Sequence, residues 1–271
     1  MQALPFAVSL VAACLLAPAL HRSLLAERMV RPNYRGAELA FPFGALIVFA
    51  ALVALVVLAP LDELADTDAL APELGLVCGY ALGVGFLGLA DDVLGGGSRG
   101  WRGHGAAVLG GGFSTGALKA VGSLGLALFV LRGHEDYLLS VAVLVLATNL
   151  FNLLDLRPGR AVKAFVLLGA GLTLGAWDAA PLWTLGLFAA PVLVAGLYDV
   201  RERAMLGDTG SNVIGALAGL WLVLTLSQTG LVVAVVVLFA TTAYGEFRSI
   251  NALVERAPVL RHLDSIGRPH D

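Results

Sequence analysis

Charge is what this chain has least of. Only 14% of its 271 residues are Asp, Glu, Lys or Arg, and 58% are hydrophobic, where soluble globular domains carry roughly 25% charge. That balance excludes a disordered chain and argues against a soluble one. Cysteine is nearly absent: Cys14 and Cys78 both fall inside apolar runs, where a thiol acts as a small hydrophobe, so a disulfide scaffold is excluded. Net charge is −3, too small and too mixed to point to nucleic acid, and no nucleic-acid partner is expected. Walker loops, serine nucleophile elbows and zinc motifs are missing. The histidines, His21, His104, His134, His262 and His270, show no metal spacing.

What the chain does have is apolar runs separated by short polar islands. A hydrocarbon core of about 30 Å takes roughly 20 residues of helix, fewer where flanking side chains snorkel. On that measure an all-α polytopic membrane bundle is expected, with about nine transmembrane helices over 2–20, 41–60, 74–94, 114–131, 137–154, 162–177, 181–198, 211–227 and 230–246. The first run has no basic residues before it and four arginines, Arg22, Arg28, Arg31 and Arg35, after it, so it reads as a retained helix rather than a cleaved signal. Across these spans, sixteen of the seventeen Lys and Arg residues fall on one side and Arg132 alone on the other. The positive-inside rule then puts the N-terminus outside and the C-terminus in the cytoplasm. The expected organisation is a bundle over 1–247 and a cytoplasmic amphipathic segment over 248–271, where Leu260, Leu263 and Ile266 are spaced to lie on a membrane surface.

Chemistry is expected on the cytoplasmic side, because Asp91, Asp92, Asn152, Asp155, Asp199 and Asp208 all sit at span ends there, whereas a carrier would place polar groups near mid-span. Asp91 and Asp92 are adjacent, so their side chains point about 100° apart on a helix and can face two different ligands. Two such carboxylates repel unless a cation lies between them; the alternative is a solvated helix end. Asn149, Asn152 and Asp155 recur every third residue, a polar stripe that serves either a site or interhelical hydrogen bonds. Asp208, in Gly207-Asp208-Thr209-Gly210-Ser211-Asn212, could merely cap the following helix. With the other acids it makes an oxygen-ligand set suited to Mg²⁺, which takes one or two carboxylates plus substrate phosphates. Arg35, Lys119 and Arg160 could complete an anion site. Lys119 stands several residues into an apolar run, so it needs an acidic or phosphate partner there or must snorkel to the interface.

Taken in order, Pro32 to Gly36, Pro42-Phe43-Gly44, Gly88 to Asp92, Thr115 to Lys119, Asn152 to Asp155 and Gly207 to Ser211 resemble the polyprenyl-phosphate N-acetylhexosamine-1-phosphate transferase superfamily of bacterial envelope synthesis (MraY/WecA-like). The paired acids and the Gly-Asp-Thr-Gly-Ser run are its specific parts. The resemblance implies a Mg²⁺-dependent enzyme of the bacterial inner membrane. It would move a sugar-1-phosphate from a UDP-sugar to polyprenyl phosphate and release UMP; the oligomeric state is left open, with a homodimer as one option. It also implies roles: Asp91, Asp92 and Asp208 catalytic, with Asp92 and Asp208 on the metal, and Lys119, Asn152, Asp155, Arg35 and Arg160 on substrate. Two departures stand out. Pro158 replaces the second Asp of the family's N-x-x-D-G-x-D-G pattern, and the histidine-rich cytoplasmic loop is missing. These favour, as the alternative, a non-catalytic relative that binds polyprenyl phosphate or scaffolds other enzymes.

Overall fold

The protein is described by a computed structural model over residues 1–95 and 114–269. Gly96, Gly97, Gly110 to Gly112, Arg99, Arg102, His104 and His270 lie outside the described residues. Twelve helices form within them: α1 (Leu4–Ala26), α2 (Ala45–Ala65), α3 (Leu74–Leu94), α4 (Thr115–Val130), α5 (Tyr137–Leu154), α6 (Arg160–Ala176), α7 (Ala180–Thr184), α8 (Gly186–Val200), α9 (Gly207–Thr225), α10 (Gln228–Phe247), α11 (Ile250–Arg256) and α12 (Pro258–Ser265). Between α1 and α2 lies one antiparallel hairpin, β1 (Val30–Pro32) and β2 (Glu38–Ala40).

The all-α class holds, but the count of nine spans does not. Five helices, α1, α2, α3, α5 and α10, are long and apolar enough to cross a bilayer, and five such helices point to a multi-pass membrane protein. The shortfall has physical reasons. Helices α4 and α8 have 16 and 15 residues, about 24 and 22 Å of rise against a core of about 30 Å. The expected span at 162–177 is α6, which opens on Arg160 and carries Lys163 in its first turn. The one at 181–198 breaks at Leu185 into α7 and α8.

The expected span at 211–227 is α9, and it is the axis of the bundle. Every residue from Thr209 to Val223 is buried, because α9 packs on α3, α5 and α6 at once. A helix apolar on all sides is stable only when wrapped in this way. Gly215 and Gly219, four residues apart, set the approach to α5. A Cβ on Gly215 would stand 2.6 Å from the Thr148 Cα, and one on Gly219 3.1 Å from the Leu144 Cα. Small residues at this spacing let backbones meet where lipid offers no hydrophobic drive for packing. Buried Tyr80 on α3 hydrogen-bonds Thr148 on α5 across 3.1 Å, which ties together two of the helices that pack on α9.

The hairpin was not foreseen, since strands of three residues leave no periodic signal. Asn33 Oδ1 accepts from the Arg35 and Ala37 N–H groups and shapes its turn. Its exit is clipped to the segment entering α9: Met205 N–H donates to Ala40 O (2.9 Å), Phe43 N–H to Met205 O (2.8 Å) and Gly44 N–H to Leu206 O (2.9 Å). The first loop is thereby brought against the end of the bundle that carries the acidic residues.

Candidate active site

Four helix ends supply the polar residues. Asp91 and Asp92 lie in the last turn of α3, Lys119 near the start of α4, Asn152 in the last turn of α5, and Asp208 in the first turn of α9. The start of α4 is fixed by Ser114, whose Oγ accepts the Ala117 N–H. The contact between α3 and α9 depends on Gly88, because a Cβ there would run into the Asp208 carbonyl and the Thr209 nitrogen.

Lys119 is the centre of the cluster. Its ammonium donates to Asp208 Oδ2 at 2.6 Å and to Asp91 Oδ2 at 3.2 Å. The Asn152 amide, with its oxygen toward Lys119, takes the third donor, and its nitrogen donates to Asp208 Oδ1 at 3.1 Å. All three ammonium hydrogens are thus used. Side-chain exposures of 16% for Lys119, 17% for Asp91 and 29% for Asp208 describe a half-sheltered ionic cluster open on the Asp208 side. Of the two readings of Lys119, an acidic partner is what the structure contains.

Asp92 does something different from its neighbour. It is 8% exposed, and its Oδ1 accepts the Asp208 N–H (2.9 Å) while Oδ2 accepts the Thr209 N–H (2.9 Å) and hydroxyl (2.6 Å). Those amides are among the first-turn donors that a helix leaves unpaired, at the positive end of its dipole. Asp92 therefore caps α9 from another helix. Expected beside Asp208 as a metal ligand, it spends both oxygens on this cap, and Asp91 is the carboxylate that shares a cation with Asp208. Arg31 donates to the Asp92 carbonyl (3.0 Å) with its guanidinium 3.9 Å over the Phe41 ring, a contact that the sequence reading missed.

Asp155, just past α5, is half-buried and accepts no hydrogen bond from the described residues. Burial pushes its carboxyl well above the usual range, and the like charges of Asp199, Asp208 and Asp92 add to this. Asp199 is itself buried and accepts the Gly159 N–H at 2.6 Å. It was noted only as one more acid at a span end, yet it fixes the turn that follows Asp155.

Arg35 and Arg160 stand apart from the Lys119 cluster. Arg35 is engaged by Tyr34, by Glu202 and by the Pro269 carbonyl. Arg160 makes a two-pronged pair with Asp264, Nε to Oδ1 at 2.9 Å and Nη2 to Oδ2 at 3.0 Å, and donates to Asn251 at 2.8 Å. Lys163 donates to the carbonyls of Leu263, Asp264 and Ile266, and Arg268 to those of Pro158 and to Asp264. The C-terminal segment is thus tied to the start of α6 by ion pairs, a contact that its apolar spacing did not announce.

No protein-family model matches the chain, and no curated protein is found similar to it. The functional reading therefore rests on the geometry above and on the residues themselves.

That geometry fits a divalent cation in one way. Among the described residues no three His, Cys, Asp or Glu side chains gather around a single metal position, which argues against an all-protein cage. Mg²⁺ does not need one, since it keeps waters and takes one or two carboxylates plus substrate phosphates. Asp91 and Asp208, sharing one cation already, supply those hard oxygen donors.

The tail contact carries a pH dependence. Burial pushes the Asp264 carboxyl up, but the hydrogen bonds and charges of Arg160 and Arg268 outweigh it and hold the group below the usual range. A carboxyl depressed in the folded state stabilises docking above its unfolded value, about 3.9, and the stabilisation is lost as pH falls through the folded value. Protection of the backbone amides over 250–269 against hydrogen exchange, taken relative to the intrinsic rate at each pH, is expected to hold at pH 6 and to fall below about pH 4, and Asp264→Asn is expected to remove that step.

Proposed function

We propose that this chain is a Mg²⁺-dependent transferase that moves an N-acetylhexosamine-1-phosphate from a UDP-sugar to polyprenyl phosphate, with release of UMP, in bacterial envelope glycan synthesis. In this reading it sits in the bacterial inner membrane, N-terminus outside, with the acidic cluster toward the cytoplasm. The observation that carries it is the convergence of Asp91, Lys119, Asn152 and Asp208 from four separate helices at one bundle end. A purely structural ion pair would require only two of them.

In the reaction, an oxygen of the lipid phosphate attacks the β-phosphorus of the UDP-sugar. The bond from that phosphorus to the bridging oxygen breaks, and UMP leaves with the electron pair. Asp208 and Asp91 would hold Mg²⁺, which would supply charge neutralisation for the phosphates when bound. Lys119 transfers its ammonium from the carboxylates to a phosphate oxygen, and Asn152 orients Asp208. Asp92 keeps the α9 start, and with it Asp208, in place. UMP release by the purified protein, with Mg²⁺, undecaprenyl phosphate and a panel of UDP-sugars, tests the assignment.

One observation favours a second reading. Lys119 already pairs with both Asp91 and Asp208, and Pro158 stands where the resembling family has an acid, which suits a non-catalytic protein that binds polyprenyl phosphate. Retention of the lipid phosphate with no UMP release from any donor would favour that reading over the transferase.

A further inference from the structure

At the same end of the bundle, a crevice of about 470 Å³ opens between the last turns of α1, strand β2 and the end of α8. It is lined by Pro18, His21, Arg22, Leu25, Tyr198 and Arg203, with Glu38 on its wall. Its two guanidiniums, like those of Arg28 and Arg201 nearby but outside the crevice lining, are not engaged as the other arginines at this end are. Arg31 is spent on Asp92 and Phe41, Arg157 on the Tyr34 ring, and Arg160 and Arg268 on Asp264. Arg22 and Arg203 have no hydrogen bond, ion pair or ring contact from their side chains among the described residues. Two unneutralised cations thus face one crevice against the single carboxylate of Glu38.

The floor is rigid. His21 Nε2 donates to the Arg203 carbonyl at 3.0 Å, and the His21 ring packs on Phe43 and Tyr198, with centroids at 6.2 and 5.6 Å. Arg203 is held by its own backbone while its side chain remains uncommitted.

The wall is apolar and runs along α1, one of the five helices long and apolar enough to cross a bilayer. Val11, Leu15, Pro18, Arg22 and Leu25 follow one another at spacings of four, three, four and three, which is a single face of α1. All five are exposed, with Val11 at 58% and Leu15 at 73%. An uncovered apolar stripe therefore ends on a guanidinium, and a second guanidinium comes in from the α8–α9 connection.

We infer that this crevice binds one anionic phospholipid, its phosphodiester between Arg22 and Arg203 and an acyl chain along the α1 stripe. Charge complementarity selects an anionic head group, and the stripe selects a lipid over a soluble anion. Basic pockets between helices at a membrane boundary suit such head groups. The site is separate from the Lys119 cluster, and the inference stands whether or not the chain is a transferase.

The test uses full-length protein in nanodiscs of phosphatidylethanolamine doped with phosphatidylglycerol, followed by native mass spectrometry after detergent exchange. Wild type is expected to retain one phosphatidylglycerol and no phosphatidylethanolamine. Arg22→Gln and Arg203→Gln should each lower retention about fivefold, whereas Arg261→Gln in the C-terminal segment should not. Thermal unfolding of both variants is expected to match wild type, because neither side chain has a partner to lose. Equal retention by the double variant, equal retention of phosphatidylethanolamine, or displacement of the lipid by millimolar inorganic phosphate would each overturn the assignment.

Discussion

Asp208→Asn is expected to lower UMP release by about 10²–10³-fold while leaving the protein folded. The carboxylate is the best-connected acid of the cluster, bonded to Lys119 at 2.6 Å and to Asn152 at 3.1 Å, and it is also the most exposed of the three ionic partners. An amide keeps the shape and one acceptor but loses the charge that Lys119 and a divalent cation both need. Its backbone N–H still donates to Asp92, so the α9 start survives. The contrast is Asp92→Asn, which weakens the cap from within a buried position and should show first in thermal unfolding. If Asp208→Asn turned over at the wild-type rate with every donor, the assignment of chemistry to this cluster would fail.

Lys119→Met should cost about 3–5 kcal/mol of stability in the absence of divalent cation, because removal of one partner leaves sheltered carboxylates uncompensated. Asp91 and Asp208 would then face each other with no cation between them. Added Mg²⁺ is expected to recover most of that loss in the variant and to stabilise wild type far less, since the wild-type ammonium already offsets one of the pair's two charges. The comparison is a thermal unfolding series in Mg²⁺ for both proteins. An identical Mg²⁺ response would show that Asp91 and Asp208 do not form the cation position, and would leave Lys119 as a structural bridge.

Much of the cluster is readable in the sequence because hydrocarbon tolerates few polar groups. Asp91, Lys119, Asn152 and Asp208 stand out against apolar runs for that reason alone, and Lys119 signalled its need for an acidic or phosphate partner by its depth. The division between Asp91 and Asp92 was not readable. Adjacent positions on a helix point about 100° apart, and only the rotation of α3 about its axis decides which faces Lys119 and which caps α9. Long-range partners were hidden for a similar reason: Arg160 and Asp264 are 104 residues apart, and nothing local ties them. Hydropathy also does not fix where a helix begins and ends, so apolar runs that fold as α4 and α8, of 16 and 15 residues, read as full spans, and the run at 211–227 hides that α9 opens on the polar Asp208, Thr209, Ser211 and Asn212.

The central claim is that this cluster moves a phosphosugar onto a lipid phosphate. Its most direct test is to follow the β-phosphorus of a ³²P-labelled UDP-sugar in vesicles holding the purified protein, Mg²⁺ and undecaprenyl phosphate. The account predicts label in the lipid phase, in step with unlabelled UMP in the aqueous phase, and loss of both with Asp208→Asn. Label that stays in the aqueous phase for every UDP-sugar offered, from folded protein with lipid phosphate bound, would contradict it.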